Sequence, residues 1–151
     1  MVQNGQINPK VYDNSVRIWG GTIDGNTVTL RSGVGISQDG QTLFYFAGNY
    51  LSMSAMASAM LSAGAYQAMQ LDINNYYVLF TNFEFQNGQL TAVPLLPKVM
   101  VDNVGRFLES YSRDFFYHGQ GMIPEIYWLI NFVDRGDLWI RISLKSQFAF
   151  I

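Results

Sequence analysis

A chain of 151 residues, 49% apolar and only 13% charged, is long enough to bury one hydrophobic core and too apolar to be disordered. A net charge of −2 without any Lys/Arg run excludes a basic patch for nucleic acid or an anionic membrane. The absence of cysteine excludes disulfides and thiolate metal sites and leaves the redox compartment open.

The first fifty residues read as short strands between turns. Asn4-Gly5, Asp24-Gly25-Asn26 and Asp39-Gly40 are turn signals, because Asn, Asp and Gly tolerate positive φ. Val28–Leu30 and Leu43–Phe46 are β-branched or aromatic segments bounded by such breakers, and Asp39-Gly40 is expected to join antiparallel strands. The period then changes. Met53, Met56, Ala57, Met60 and Leu61 recur at helical spacing, which predicts a helix over about 52–63. Ser52 or Ser54 can cap its start, and Gly64 can end it in the left-handed conformation. A Met stripe of this kind is read as core before it is read as a pliable ligand surface.

Tyr66–Asp72 predicts a strand ending in a carboxylate, and Tyr76–Phe83 a second, aromatic strand. Asn87-Gly88 is another turn, Pro94 and Pro97 bracket an irregular loop, and 107–116 is ambiguous. Near the C-terminus, Leu138, Ile140, Ile142 and Leu144 alternate with Trp139, Arg141 and Ser143, a half-buried strand pattern. The apolar run 126–133 is far short of the roughly 20 residues that cross a bilayer as a helix. The segment Met1–Gly5 lacks the basic and apolar regions of a signal peptide. The fold class expected is α+β, a mainly antiparallel sheet with one clear helix packed on it. The low surface charge and 15% aromatic content suit either an apolar face that a partner covers or a well-packed monomer with a neutral polar surface.

An ordered set of motifs carries a family resemblance. Arg31-Ser32-Gly33-Val34-Gly35-Ile36 is followed by Asp39-Gly40, Ala47-Gly48, the helix, Ala63-Gly64-Ala65 and then Ala68-Met69-Gln70-Leu71-Asp72-Ile73-Asn74. Val2–Gly5, Asn8-Pro9 and Trp19-Gly20 precede it, and Ser112–Phe116 follow. The set resembles the bacterial branch of the phosphodiester glycosidase family, whose animal member removes N-acetylglucosamine to uncover mannose 6-phosphate. Leu71-Asp72-Ile73-Asn74 stands where many members carry Leu-Asp-Gly-Gly-Gly-Ser. The resemblance spans about residues 1–117 and corresponds to the C-terminal half of the family's domain. Residues 118–151 are expected to form an extension, with strands packed on or beside the same domain.

The resemblance implies hydrolysis of a sugar-1-phosphate diester on a surface glycan or related glycoconjugate, in an extracellular or cell-surface setting. Such a site must bind one negative charge and stabilise an oxocarbenium-like sugar. The planar fork of an arginine suits the phosphate, and carboxylates suit the acid, base or stabilising roles. Asp72 is accordingly the expected catalytic residue. Arg31, Gly33, Gly35, Asn74, Arg113 and Asp114 are the expected substrate-binding residues, the two glycines by letting a ligand approach the backbone of a Gly-rich turn that follows the 28–30 strand. Each has a plainer reading. Arg31 can be a surface arginine before a tight turn, Asp72–Asn75 a polar turn between strands, and Arg113-Asp114 a solvated ion pair. His118, the only histidine, can donate a proton near neutral pH but is more often an exposed loop residue. No cofactor is expected, and no His, Asp and Glu spacing suggests a metal site.

The expected partners are a glycan or sugar-phosphate substrate, with a homo-oligomer or a separate N-terminal half-domain beside it. One alternative is a non-catalytic structural or assembly protein that oligomerises through its apolar, aromatic surface. A second is a carbohydrate-binding module that uses exposed Trp and Tyr.

Overall fold

The computed structural model describes residues 1–13, 26–109, 126–133 and 137–145, the last two stretches by their backbone alone. It is α+β: mostly antiparallel sheet with a single α-helix among the described residues. In chain order the strands are β1 (Val2–Gln3), β2 (Gln6–Ile7), β3 (Thr29–Ile36), β4 (Thr42–Leu51), β5 (Gln67–Gln70), β6 (Thr81–Gln86), β7 (Gln89–Pro94), β8 (Ile126–Val133) and β9 (Asp137–Lys145). The helix α1 (Met53–Ser62) lies between β4 and β5, and a 3₁₀ turn covers Pro9–Tyr12.

Seven strands form one sheet in the order β2-β1-β5-β3-β4-β9-β8, with every neighbouring pair antiparallel. β6 and β7 form a separate hairpin. The turn residues act as their chemistry predicts. Asn4 and Gly5 (φ 52° and 71°) close β1–β2, and Asn87 and Gly88 (52° and 81°) close β6–β7. Both pairs place two successive residues at positive φ, which matches the right-handed twist of a hairpin.

β3 occupies the centre, flanked by β4 and β5. Because both flanking strands run antiparallel to β3, they run parallel to each other, and α1 is their crossover. That crossover carries α1 over β3. The helix starts at Ser52, whose side chain accepts a hydrogen bond from the Ala55 amide. It ends with Gly64 at φ 93°, where Gly64 N donates to Leu61 O and Ala65 N to Met60 O. These two bonds satisfy carbonyls of the last turn in the 5→2 and 6→1 pattern.

Alternation along the strands builds two cores. On the helix side Phe44 and Phe46 pack with Met53, Met56, Ala57 and Met60, all four helix residues fully buried. The Met stripe is therefore core. On the opposite side Leu30, Tyr45 and Ala47 meet Val78, Leu96 and Met100. Each large side chain so buried contributes about 1.5–3 kcal/mol relative to exposure.

Two sequence expectations are corrected. Residues 31–36 are not a Gly-rich turn but the body of the eight-residue strand β3. The aromatic strand begins at Thr81 rather than Tyr76, because Asn74 O accepts from the Tyr77 and Val78 amides and folds that stretch into a turn.

Candidate functional site

The parallel pair β4 and β5 ends at one edge of the sheet, with Leu51 closing β4 and Leu71-Asp72 leaving β5. The first turn of α1 starts at the same edge. The register of β3 with β5 pairs Gly33 with Gln70, and the Leu71 amide donates to Ser32 O at 2.8 Å. Asp72 thus lies level with Arg31.

Arg31 ties this edge together. Its side chain is 1% exposed. Nε donates to Leu51 O at 2.8 Å, one terminal nitrogen to Gln70 Oε1 at 2.8 Å and to Met53 Sδ at 3.0 Å, and the other to Thr27 O at 2.8 Å. One planar guanidinium therefore fixes the segment leading into β3, the β4–α1 junction and the end of β5. A group bonded in this way reaches a phosphate only by surrendering those acceptors.

Gly33 and Gly35 are also committed to packing. A Cβ on Gly33 would collide with Met60 Cε, and would stand 2.7 Å from Met69 O and 2.9 Å from Met56 Cε. A Cβ on Gly35 would lie 3.0 Å from Ala65 Cβ and 3.1 Å from both Ala68 Cβ and Gln67 O. What approaches the backbone of these glycines is the crossover helix and the adjoining strand.

Asp72 and Asn74 are exposed on a turn. Asp72 Oδ1 accepts from the Asn74 amide at 2.8 Å, and Asn74 Oδ1 accepts from the Tyr76 amide at 3.1 Å. These are side-chain-to-backbone turns of the type Asp and Asn favour. The turn is anchored at both ends. Ser32 Oγ donates to Asp72 O at 2.7 Å, and the buried Arg106 guanidinium lies 4.2 Å above the Tyr76 ring. Arg106 is itself held by Asn103 O and Asp102 O, at 3.0 and 2.6 Å. Among the described residues Asp72 Oδ2 has no partner, so an exposed carboxylate oxygen stands on a braced turn. Arg113, Asp114 and His118 lie outside the described residues.

Sequence reasoning did not single out Gln70, Ser32 or Tyr45. Gln70 bonds Arg31. The Tyr45 hydroxyl is buried without a well-formed hydrogen bond, beside the Ser32 side chain. Burial pushes the Tyr45 phenol well above its ordinary range, and the Ser32 hydroxyl opposes this in part. A turn-forming sequence signals none of these long-range partners.

Residues 1–72 match the phosphodiester glycosidase family. The match ends on Asp72 itself and includes β1–β5, α1, the Arg31 brace and both packing glycines. No curated protein and no solved structure matches the chain. No helix among the described residues is long and apolar enough to cross a membrane.

Proposed function

We propose that the chain acts as a phosphodiester glycosidase-type hydrolase on a sugar-1-phosphate diester of an extracellular or surface glycoconjugate, with its site at the carboxyl edge of β4 and β5. The observation that carries this reading is the coincidence of the family match with a braced carboxylate: the matched segment ends on Asp72, on the turn that Ser32 and Arg106 hold. In the reaction the anomeric C–O bond breaks and a phosphomonoester departs with the electron pair. Water supplies hydroxyl to the sugar carbon. Asp72 stabilises the developing positive charge or takes the water proton, and Asn74 hydrogen-bonds a sugar hydroxyl. Arg31 is a positioning residue for this edge rather than a phosphate contact, because its donors are spent on Leu51, Gln70, Met53 and Thr27. Arg113 remains a candidate for the anion contact, and Asp114 for another substrate contact beside it.

The test is sugar release from an aryl or sugar-phosphate diester by the purified chain and by Asp72→Ala. The reading predicts release that the substitution lowers by at least 100-fold with folding intact. Absence of release, or equal release by the variant, refutes it.

One observation favours the assembly reading. The β6–β7 hairpin pairs only with itself in the strand order, and on it Phe83, Phe85 and Leu90 are exposed, Phe85 at 79%. Phe85 stands opposite Leu90, and Phe83 opposite Ala92. An isolated two-stranded hairpin is marginally stable in water, so its apolar face gains by docking on a second copy. Light scattering decides: this reading predicts a stable oligomer that Phe85→Asp dissociates, and a monomer at all concentrations refutes it.

A further inference from the structure

Tyr50 stands out from every other described residue at this edge. Four non-glycine residues among those described have positive φ; three are Asn and the fourth is Tyr50, at 58°. Asn visits this region readily, but a bulky side chain there is strained. Tyr50 is also 71% exposed, so no packing of its own ring repays the strain.

Its position is set by a β-bulge. Thr29 pairs with Leu51 and Arg31 with Gly48, so Asn49 and Tyr50 together oppose Leu30 alone. Bulges re-aim side chains and concentrate beside active sites. This bulge is held from three directions. Arg31 Nε grips Leu51 O, Leu51 folds under Gly48 so closely that a Cβ there would lie 2.7 Å from Leu51 Cδ1, and Asn49 Oδ1 accepts from the Tyr50 amide at 3.2 Å. The guanidinium that braces the Asp72 end of β5 through Gln70 therefore also fixes the backbone that presents Tyr50. β4 and β5 flank β3, which sets Tyr50 and Asp72 about two strand spacings apart, roughly 10 Å, at the same edge.

We infer that Tyr50 is a sugar-stacking platform, which receives the apolar C–H face of a pyranose ring at the carboxyl end of β4, the end of the sheet that also carries Asp72 and Asn74. A tyrosine suits this role because it offers a rigid apolar ring with a polar tip that stays wet. Strain retained at an exposed aromatic is the observation that points to a ligand. The inference rests on the reading of this edge as a sugar-phosphodiester site and names the residue that holds the sugar.

The test separates strain from binding. Wild type, Tyr50→Gly and Tyr50→Phe are compared by ligand-observed NMR titration with methyl N-acetylglucosaminide, with methyl glucoside and methyl galactoside alongside, and by thermal unfolding. The expected result is saturable binding by wild type, retained within about twofold in Tyr50→Phe and weakened at least fivefold in Tyr50→Gly, whose Tm is unchanged or higher because glycine relieves the positive φ. Equal binding by Tyr50→Gly and wild type overturns the inference, as does absence of binding in wild type. Sugar binding is read without turnover, so loss of the hydrolase reading alone leaves the titration result standing.

Discussion

Replacing Arg31 by lysine keeps the charge and most of the apolar stem but collapses a four-contact fork to one nitrogen. Arg31 spans three oxygen acceptors on separate segments, Leu51 O, Gln70 Oε1 and Thr27 O, each at 2.8 Å, besides Met53 Sδ. An ammonium has three donors that radiate from a point and cannot reach acceptors arranged around a planar guanidinium. Two of the three oxygen contacts are then lost. A hydrogen bond to a charged group contributes about 1.5–3 kcal/mol, so the loss is about 3–6 kcal/mol. That is a large part of the 5–15 kcal/mol typical of a domain. Urea denaturation measures it: the midpoint should fall strongly with the slope unchanged. A surface arginine that contacts phosphate behaves differently, with a stability change within about 0.5 kcal/mol and its effect on substrate binding. A measured loss under about 1 kcal/mol for Arg31→Lys therefore refutes the brace.

Two further substitutions probe the same frame. Gly33→Ala places a methyl against Met60 and Met56 and 2.7 Å from Met69 O; the methionine tips can yield but the carbonyl cannot, so a loss of about 1–3 kcal/mol is expected in urea, whereas a glycine kept open for ligand approach would tolerate alanine in the free protein. Tyr45→Phe removes a buried hydroxyl that lacks a well-formed partner and should be neutral or stabilising by up to about 1 kcal/mol near pH 7. The same substitution should gain on wild type as pH rises. The folded phenol is held protonated above its ordinary 10.0, so stability present below pH 10 is lost as the unfolded tyrosine ionises. The gap between variant and wild type should widen by about 1.4 kcal/mol per pH unit above 10, and a constant gap contradicts the burial argument.

What the sequence made legible was local. The helix from Met53 to Ser62 could be read from its Met spacing, its Ser52 cap and the Gly64 that ends it. The turns at Asn4-Gly5, Asp39-Gly40 and Asn87-Gly88 were legible because positive φ selects those residues. Asp72 and Asn74 were correctly placed at a strand's end, and the structure adds that both side chains build the turn. Arg31 was misread as the start of a turn because Gly33 and Gly35 look like turn residues. Their absent side chains answer instead to α1 over Gly33 and to Ala65 and β5 beside Gly35, contacts between residues more than twenty positions apart. Leu51, Met53 and Gln70, which accept from Arg31, and the anchors of the Asp72 turn, Ser32 and Arg106, are likewise distant in the chain, and no periodicity encodes them. Tyr50 drew no notice because its φ depends on the β3–β4 register.

The central claim is that the sugar-phosphodiester site lies where β4 and β5 end, on the edge braced by Arg31. Amide chemical-shift mapping with a non-hydrolysed sugar-1-phosphate diester analogue tests it most directly. The account predicts saturable shifts confined to residues around 27–32, 48–52 and 70–76. Saturable shifts centred on the β6–β7 hairpin, or none at any ligand concentration, would contradict it.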